Sequence, residues 1–373
     1  MTLIFDDTIT GHHLEYLSHY RTMAVHDSEE QYVFLVSKAF QQVKGNVCWE
    51  DAKNITVAYI SEEKQRQCQC GNVLRGAWNK SRIVAQAVKQ YKADRVLLTM
   101  LSEFIPFLLF LLPRRCRVSG IIYRIYLRDE AMHGVRLLAE QLRYWMMSCC
   151  KGMHRVYILN DTISAERLNK IYGTDKFRSI PDPIPNVDIS KLKSLRSELN
   201  IPDDETVYLH FGGLCKRKGT IEIIKALALG TEEQLRGKTF IFAGKVYDEI
   251  KEEFYRLLSI VQKKTHVKVY DEFCTYALLY NLCYTCDIIL APYQMTNLSS
   301  GVLGYGALFR KPVLGPAGGL IGEVIRNYHL GKCMDDVRAQ DILKILDKPV
   351  SCESDNYVTK NTVEMFVQVL SEK

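Results

Sequence analysis

The chain of 373 residues is about twice the usual length of one domain, so two domains with separate cores are expected. An apolar fraction of 47% with 25% charged residues excludes a wholly disordered chain, because this much apolar surface offsets the entropy of ordering. The net charge of +6 arises in residues 1–183, which hold 25 Lys and Arg against 19 Asp and Glu, whereas the remainder is balanced.

No secretory signal is expected at the start of the chain, since neither a basic leader nor a small-residue cleavage site follows Met1. The most apolar segment, Phe104–Leu112, contains Pro106 and is too short to span hydrocarbon, which takes roughly twenty residues. A basic run, Arg114–Arg117, follows it. We therefore predict a cytoplasmic protein whose N-terminal domain either contacts the inner face of an anionic membrane peripherally or simply buries this segment.

The twelve cysteines are scattered along the chain, which favours reduced thiols over a disulfide framework. Cys283 and Cys286 form a single CxxC, and no second CxxC completes a zinc site. We expect two buried thiols there, and we predict no bound metal and no cofactor.

Apolar β-branched runs alternate with helical patterns from end to end, which is typical of parallel sheets covered by helices. The predicted fold class is α/β, with two doubly wound Rossmann-like domains facing a cleft. The strands predicted in the first half are Leu3–Phe5, Tyr32–Val36, Ile55–Ile60, Arg95–Thr99, Val118–Tyr123 and Arg155–Leu159, and the main helices are Ser81–Tyr91 and Leu137–Cys149.

Three prolines within Ile180–Asn186 predict an extended linker between the domains. The strands predicted beyond it are Thr206–Phe211, Thr239–Ala243, Val267–Tyr270, Ile288–Ala291 and Pro312–Leu314. We predict an N-terminal domain over 1–183, a C-terminal domain over 184–360, and an amphipathic helix over 361–373 that packs back on the first domain. In such sheets ligands bind at the carboxyl ends of the strands.

The first candidate site is a strand-to-helix turn in the second half. Gly212 and Gly213 would let the backbone approach a ligand, and the predicted helix Ile221–Leu229 would offer unpaired N–H groups at its start. Lys218 or Arg217 would add a full positive charge beside a phosphate. The alternative is a glycine-tight turn with solvated cations.

A second turn of the same kind joins the strand Ile288–Ala291 to a predicted helix, Val302–Phe309. Ser299 and Ser300 are good helix caps, and their N–H groups with that of Gly301 would receive the second half of a diphosphate. Ordinary capping with no ligand is the alternative.

From Leu209 to Gly331 the chain resembles the nucleotide-binding domain of the retaining glycosyltransferases of family four, which have GT-B architecture, and especially bacterial members that build surface polysaccharides. The G-R-L-x-x-x-K-G element of the family falls on Gly212–Gly219, so the resemblance implies that Lys218 binds the donor phosphate. The family arginine falls on Gly213, and Arg217 is the candidate replacement.

Two further family elements concern the donor. The family has two glutamates eight positions apart, which fall here on Asn297 and Tyr305, and the chain instead carries the S-S-G turn of a divergent branch. The resemblance also implies donor contacts at the ends of two other strands, with the base held near these residues: Gly244, Lys245, Glu272 and Phe273.

The N-terminal segment Gly11–Leu17 is similar to the G-H-x-x-E-Y-L element of related transferases. The resemblance implies that Gly11 admits a substrate, that His12 or His13 faces the cleft, and that Glu103 and Arg124 lie on the acceptor side. The alternatives are histidines that cap or pack a helix, a surface arginine, and an ion pair at the edge of the core.

The predicted function is transfer of a sugar from a nucleotide-diphosphate sugar to a saccharide or lipid-linked saccharide, with retention, in polysaccharide biosynthesis. Lys218, Arg217 and His12 are the predicted catalytic residues, and the acceptor is expected on the N-terminal domain. The alternatives are a transferase-like protein that binds a nucleotide sugar without turnover, and a nucleotide-sugar epimerase of GT-B fold. Nucleic acid is not an expected partner, because no basic groove interleaved with aromatic residues is present.

Overall fold

A computed structural model describes residues 1–9, 13–47, 49–69 and 71–372 of the chain. The chain divides into two compact units. The first comprises Met1–Pro181 together with the residues from Val363 onward, and the second comprises Asp182–Thr362. Residues 181–188, all of them described, belong to neither helix nor strand.

Over the described ranges, the first unit contains a parallel sheet of seven strands in the order β3-β2-β1-β4-β5-β6-β7. The strands are β1 Thr2–Asp6, β2 Tyr32–Ser37, β3 Ile55–Ile60, β4 Arg95–Leu98, β5 Arg117–Ile122, β6 Met153–Leu159 and β7 Phe177–Ile180. The helices are α1 His13–His26, α2 Phe40–Val43, α3 Glu62–Cys68, α4 Val73–Tyr91, α5 Phe107–Leu111, α6 Gly134–Cys149 and α7 Thr162–Tyr172.

The second unit has a parallel sheet of six strands, counted over the described residues, in the order β10-β9-β8-β11-β12-β13. The strands are β8 Thr206–Phe211, β9 Lys238–Ala243, β10 His266–Tyr270, β11 Ile288–Leu290, β12 Val313–Pro316 and β13 Gly331–Met334. The helices are α8 Thr220–Leu229, α9 Glu232–Leu235, α10 Asp248–Val261, α11 Tyr276–Thr285, α12 Gly301–Leu308, α13 Gly319–Asn327, α14 Ala339–Ile345 and α15 Asp355–Lys360.

The last helix, α16 (Val363–Ser371), belongs to the first unit. Phe366 of α16 packs edge-on against Tyr16 and Tyr20 of α1, with ring centroids 5.7 and 5.9 Å apart. The apolar stripe of this helix is buried with Tyr20, which explains why the chain returns to the unit where it began.

Each sheet has an apolar core on both faces, as is usual for parallel sheets, whose strands are buried on both sides. In the first unit, side chains of α4, α5, α6 and α7 share one core, whereas α1, α2 and α16 share the other. The predicted α/β class with two Rossmann-like sheets is therefore confirmed.

Two short edge strands, β7 and β13, were not predicted. Each has four residues, and β13 contains Gly331 and Lys332, so neither has the continuous apolar run of a central strand. Helix α4 begins eight residues before the predicted start, because Asn72 caps it by accepting a hydrogen bond from the N–H of Arg75 at 3.1 Å.

The apolar segment Phe104–Leu112 forms the short helix α5 and its approach, where Phe104, Ile105 and Leu108 are buried. Across the described ranges, none of the helices has the length and apolarity needed to span a bilayer. Cys283 and Cys286 are fully buried, which confirms the prediction for that pair.

Candidate functional site

The turn after β8 needs glycine at two positions. Gly212 and Gly219 have φ of +95° and +74°, in the left-handed region that favours glycine. A Cβ atom on Gly219 would lie 2.0 Å from the carbonyl oxygen of Pro292, which follows β11. The turn after β8 is therefore in direct backbone contact with the turn after β11.

Backbone hydrogen bonds join these turns at the carboxyl edge of the second sheet. The N–H of Gln294 donates to the carbonyl oxygen of Arg217 at 2.9 Å, and the N–H of Ile321 donates to that of Thr296 at 3.1 Å. The turns that follow β8, β11 and β12 thus form one continuous backbone surface. The sequence prediction concerned the first two of these turns.

Lys218 lies where the first two turns meet. Its Nζ atom is 3.5 Å from the carbonyl oxygen of Phe211 and 5.4 Å from the centre of the Tyr293 ring. A Cβ atom on Gly212 would lie 2.4 Å from the same nitrogen. The side chain is half-buried and, within the described part of the chain, forms no ion pair with a carboxylate. Its positive charge is therefore not neutralised by the protein there.

Arg217 shares this turn, but its side chain is exposed. What ties Arg217 into the site is its backbone carbonyl, which accepts the hydrogen bond from Gln294. The guanidinium is thus less fixed than the half-buried Lys218 ammonium.

His210, at the end of β8, holds the first turn in place through buried hydrogen bonds, and it was not among the predicted site residues. Its Nδ1 atom is 2.8 Å from the carbonyl oxygen of Leu290, and its Nε2 atom is 2.9 Å from Oγ1 of Thr220. Burial lowers the pKa of His210 to about 4, and the charge of Lys218 acts in the same direction, although the bond to Leu290 opposes the shift. The neutral ring therefore donates from Nδ1 and accepts from the Thr220 hydroxyl at Nε2, which links β8, β11 and α8.

In the second turn the serine hydroxyls do not cap α12. Ser299 donates to a carboxylate oxygen of Asp182 at 2.7 Å, and Ser300 donates to the hydroxyl oxygen of Tyr293 at 3.2 Å. Ser300 stands at the N-cap position without a side-chain hydrogen bond to the helix, so the prediction of side-chain capping is wrong. Instead, the hydroxyls hold the turn in place from the side.

The backbone of the second turn remains open for a ligand. The N–H groups of Ser299, Ser300 and Gly301 donate to no group among the described residues, and they stand at the start of α12. Three such N–H groups at a helix N-terminus favour an anion.

Asn297 and Tyr305, which stand at the family glutamate positions, differ in placement. Asn297 is half-buried in the second turn. Tyr305 is 6% exposed and packs against Phe211 and Tyr280, with ring centroids 5.3 and 6.0 Å apart. Tyr305 is therefore a core residue, and this placement does not support the donor contact predicted for it.

The predicted base-binding residues lie at the ends of β9 and β10. Gly244 has a φ of +144°, and a Cβ atom on it would lie 1.8 Å from the carbonyl oxygen of Gly212, which puts it against the first turn. Lys245 forms an ion pair with Asp271 at 3.3 Å. Glu272 is exposed, and Phe273 presents 73% of its surface to solvent.

Asp271 holds the loop that follows β9, and it was not among the predicted site residues. It accepts hydrogen bonds from the N–H of Val246 at 2.8 Å and from the hydroxyl of Tyr255 at 2.9 Å. Partial burial acts to raise the pKa of Asp271, but these hydrogen bonds and Lys245 outweigh it and lower that pKa. An ionised Asp271 thus holds the loop that carries Lys245.

In the first unit, polar side chains gather at the carboxyl end of β1. Nδ1 of His13 lies 2.8 Å from Oδ2 of Asp6, and Oδ1 of Asp6 also accepts the N–H of Thr8 at 2.9 Å. Asp6 is 2% exposed, so its carboxylate depends on these bonds. Gly11 and His12 lie outside the described residues.

Two further carboxylates of the first unit, those of Asp7 and Glu103, meet at Lys80. Its Nζ atom donates to Asp7 at 2.9 Å and to Glu103 at 2.7 Å. Burial raises the pKa of Asp7, and the charge of Lys80 offsets only part of that effect. Arg124 is apart from this group, because its side chain is largely exposed and pairs with Asp129. Glu103 is therefore held in an ion pair at the edge of the core, and it does not pair with Arg124.

No protein-family model matches the chain, and no curated protein sequence matches it. Solved structures do resemble it. The Anabaena protein HepE in complex with UDP and glucose is 16% identical with a TM-score of 0.66, over 99% of this chain and 94% of that one. WaaG, a glycosyltransferase involved in lipopolysaccharide biosynthesis, is 16% identical with a TM-score of 0.67, over 100% and 96%.

Sucrose-phosphate synthase from Thermosynechococcus elongatus is 14% identical with a TM-score of 0.62, over 99% of this chain and 94% of that one. At such identities the similarity is one of fold, and it extends over nearly the whole length of both chains. The two parallel sheets described above are thus those of the GT-B glycosyltransferase fold.

Proposed function

We propose that this protein transfers a sugar from a nucleotide-diphosphate sugar to a saccharide or lipid-linked saccharide acceptor, with retention of configuration. The observation that carries the proposal is the junction of the turns after β8 and β11. An ammonium group without a carboxylate partner among the described residues stands there beside unpaired N–H groups. Such a junction suits a pyrophosphate.

The chemistry follows from the charge that develops during transfer. As the glycosidic bond of the donor breaks, negative charge grows on the departing diphosphate. Fixed cations and N–H groups stabilise that charge most when they need no reorganisation. Lys218 would bind one phosphate and the turn Ser299–Gly301 the other, while Arg217 would contribute a more mobile charge. These groups supply the charge stabilisation without a bound metal.

The nucleotide would be recognised on the other side of the first turn. Phe273 offers an exposed ring for stacking on a base, and Lys245 is held nearby by Asp271. Solved structures of the similar Anabaena protein contain UDP and UDP-glucose, which makes uridine diphosphate sugars the first donors to test.

The acceptor would bind to the first unit. The carboxylate of Asp6 orients His13, so that Nε2 of the ring is left to meet an acceptor hydroxyl. We propose a role in polysaccharide biosynthesis, in which the acceptor would be a growing or lipid-linked saccharide. A lipid-linked acceptor would also bring the first unit to a membrane surface.

A protein that binds a nucleotide sugar without turnover is the second candidate. It is favoured by the amide at position 297 and by the burial of Tyr305, which leave the donor site without the two family carboxylates.

The test is incubation of the purified protein with nucleotide-diphosphate sugars, with and without a panel of saccharide and lipid-linked acceptors, followed by product analysis. A glycosylated acceptor that keeps the anomeric configuration of the donor supports the proposal. Thermal stabilisation by a nucleotide sugar with no transfer or hydrolysis supports the binding protein, since a ligand of the folded state raises the melting temperature. An isomerised donor indicates an epimerase.

A further inference from the structure

Helix α6 is apolar on two opposite faces. Tyr144 and Met147 point into the core of the first unit and are at most 2% exposed. Four apolar side chains on the opposite side are exposed by 82%, 64%, 56% and 53%, in the order Val135, Leu138, Leu142 and Trp145. Their spacing of three, four and three residues places them on one side of the helix. We call these four residues the outer face of α6.

The neighbouring helix α7 also carries exposed apolar side chains. The hydroxyl of Tyr172 in α7 donates to the carbonyl oxygen of Gln141 in α6 at 3.2 Å, so the two helices are adjacent. Ile163 and Ile171 of α7 are each 53% exposed. Large apolar side chains exposed together on one helix face are characteristic of an interaction site.

The chain around this surface is strongly basic. From Val73 to Arg128 it carries eleven Lys and Arg but only two acidic residues, Asp94 and Glu103. Both acidic residues are already paired, Asp94 with the N-terminal amine at 3.0 Å and Glu103 with Lys80. Among the described residues, Lys80, Arg124 and Arg128 pair with carboxylates outside this stretch, and the other eight cations form no ion pair.

Some of these cations flank α6. Arg114 and Arg115 are exposed just before β5, and the N–H of Val118 in β5 donates to the carbonyl oxygen of Gly152, just beyond the end of α6, at 2.8 Å. Arg136 is exposed on α6 itself. Within the part of the chain that the structure describes, these three arginines form no ion pair.

We propose that the outer face of α6 inserts into the interfacial region of an anionic lipid bilayer while Arg114 and Arg115 contact lipid headgroups. Leucine and tryptophan on one helix face, with exposed arginines on neighbouring segments, resembles the pattern of helices that lie in this interface. Charge complementarity selects anionic lipid over a second copy of this chain, because two copies would bring the same unpaired arginines together. The proposal does not depend on the transfer reaction.

This surface differs from the one expected from sequence. Within the segment Phe104–Leu112, Phe104, Ile105 and Leu108 are buried and Phe110 is 75% exposed, so the segment offers one strongly exposed apolar side chain where the outer face of α6 offers four. Arg114 and Arg115, which follow this segment, remain exposed. In the proposal they contact headgroups beside α6.

The experiment is flotation of the full chain with phosphatidylcholine vesicles that contain or lack phosphatidylglycerol. The wild-type protein should float with the phosphatidylglycerol vesicles at low salt and dissociate as the salt concentration rises. The double variant Leu142→Ser/Trp145→Ser should lose roughly tenfold or more in partitioning. The variant Arg114→Gln/Arg115→Gln should lose about fivefold for each arginine removed.

The matched control is Leu229→Ser, because Leu229 is exposed to a similar degree, 61%, but belongs to the second unit and not to this basic part of the sequence. It should float like wild type. Flotation that the Leu142→Ser/Trp145→Ser variant retains would overturn the proposal, and so would a failure of the wild-type protein to float. A dimer in light scattering that this variant dissociates, without lipid binding by wild type, would show that a second copy covers the face and would also overturn it.

A second measurement reports insertion directly. Trp49 is buried and Trp78 is partly covered, so Trp145 is the most exposed of the three tryptophans. Wild-type emission should shift to the blue with phosphatidylglycerol vesicles, and the shift should be lost in Trp145→Phe while flotation persists. An unchanged shift in Trp145→Phe would contradict insertion of this face.

Discussion

The ammonium group of Lys218 lies 5.4 Å from the centre of the Tyr293 ring, so a cation of the first turn rests on an aromatic face of the second. A cation–π contact of this kind holds the charge near the junction, whereas a carboxylate partner would neutralise it. Two loops separated by more than seventy residues thereby share one positively charged position.

Replacement of Lys218 by alanine should lower donor turnover by about two to three orders of magnitude, because a fixed charge that stabilises the leaving group is lost. Lys216→Ala is the matched control, since Lys216 is an exposed lysine of the same turn and should behave like wild type. Steady-state rates with the best donor measure both variants. Near-normal turnover in Lys218→Ala would remove this residue from the mechanism.

Gly219→Ala should destabilise the second unit by more than about 2 kcal/mol, because the new Cβ atom combines a positive φ with a clash against Pro292. Gly237 has a similar φ of +69°, but an added Cβ there would meet open space. Gly237→Ala should therefore cost only about 1 kcal/mol, the strain alone. Denaturant unfolding gives both values, and equal losses would show that the approach of the two turns is not required.

Asp6→Asn should change the tautomer of His13. The N–H of Thr8 would hold the amide oxygen, so the amide nitrogen would face Nδ1 and donate to it. The ring proton would then move to Nε2, and the acceptor KM should rise or transfer should slow. Nitrogen NMR of the imidazole detects the tautomer without an activity assay, with the exposed His26 as internal control. An unchanged His13 signal would contradict the proposed positioning.

Stability should fall with acidification in a manner that depends on His210. The folded chain protonates this ring only near pH 4, whereas the unfolded chain does so near 6.5. The unfolded state therefore binds more protons in this window, and the free energy of unfolding should decrease as pH falls, by on the order of 3 kcal/mol. The contribution is complete above pH 6.5.

His210→Gln provides the comparison for this pH effect, because His154, whose pKa burial also lowers, is retained in both proteins. The variant should be less stable at neutral pH but lose less stability between pH 6.5 and 4. Parallel curves for the two proteins would contradict the assignment of a buried, neutral His210.

Local patterns predicted much of this fold because they report backbone preferences directly. The strand Thr206–Phe211 matches its predicted bounds, since a continuous apolar run bounded by glycine has few alternatives. Gly212 was predicted as a turn glycine from the same pattern, and its φ of +95° agrees with that prediction. Ser299 and Ser300 were misassigned as caps, because their actual partners could not be inferred from neighbouring residues.

The sequence by itself determined the alternation of strands and helices, the two glycine-containing turns and the surplus of positive charge, since each depends on residues close together in the chain. Only the tertiary structure decided that Asp182 holds Ser299, that Lys80 joins Asp7 to Glu103, and that one face of α6 stays exposed. These features depend on groups distant in sequence, whose encounter is set by how strands order in a sheet and which helix face the core leaves uncovered.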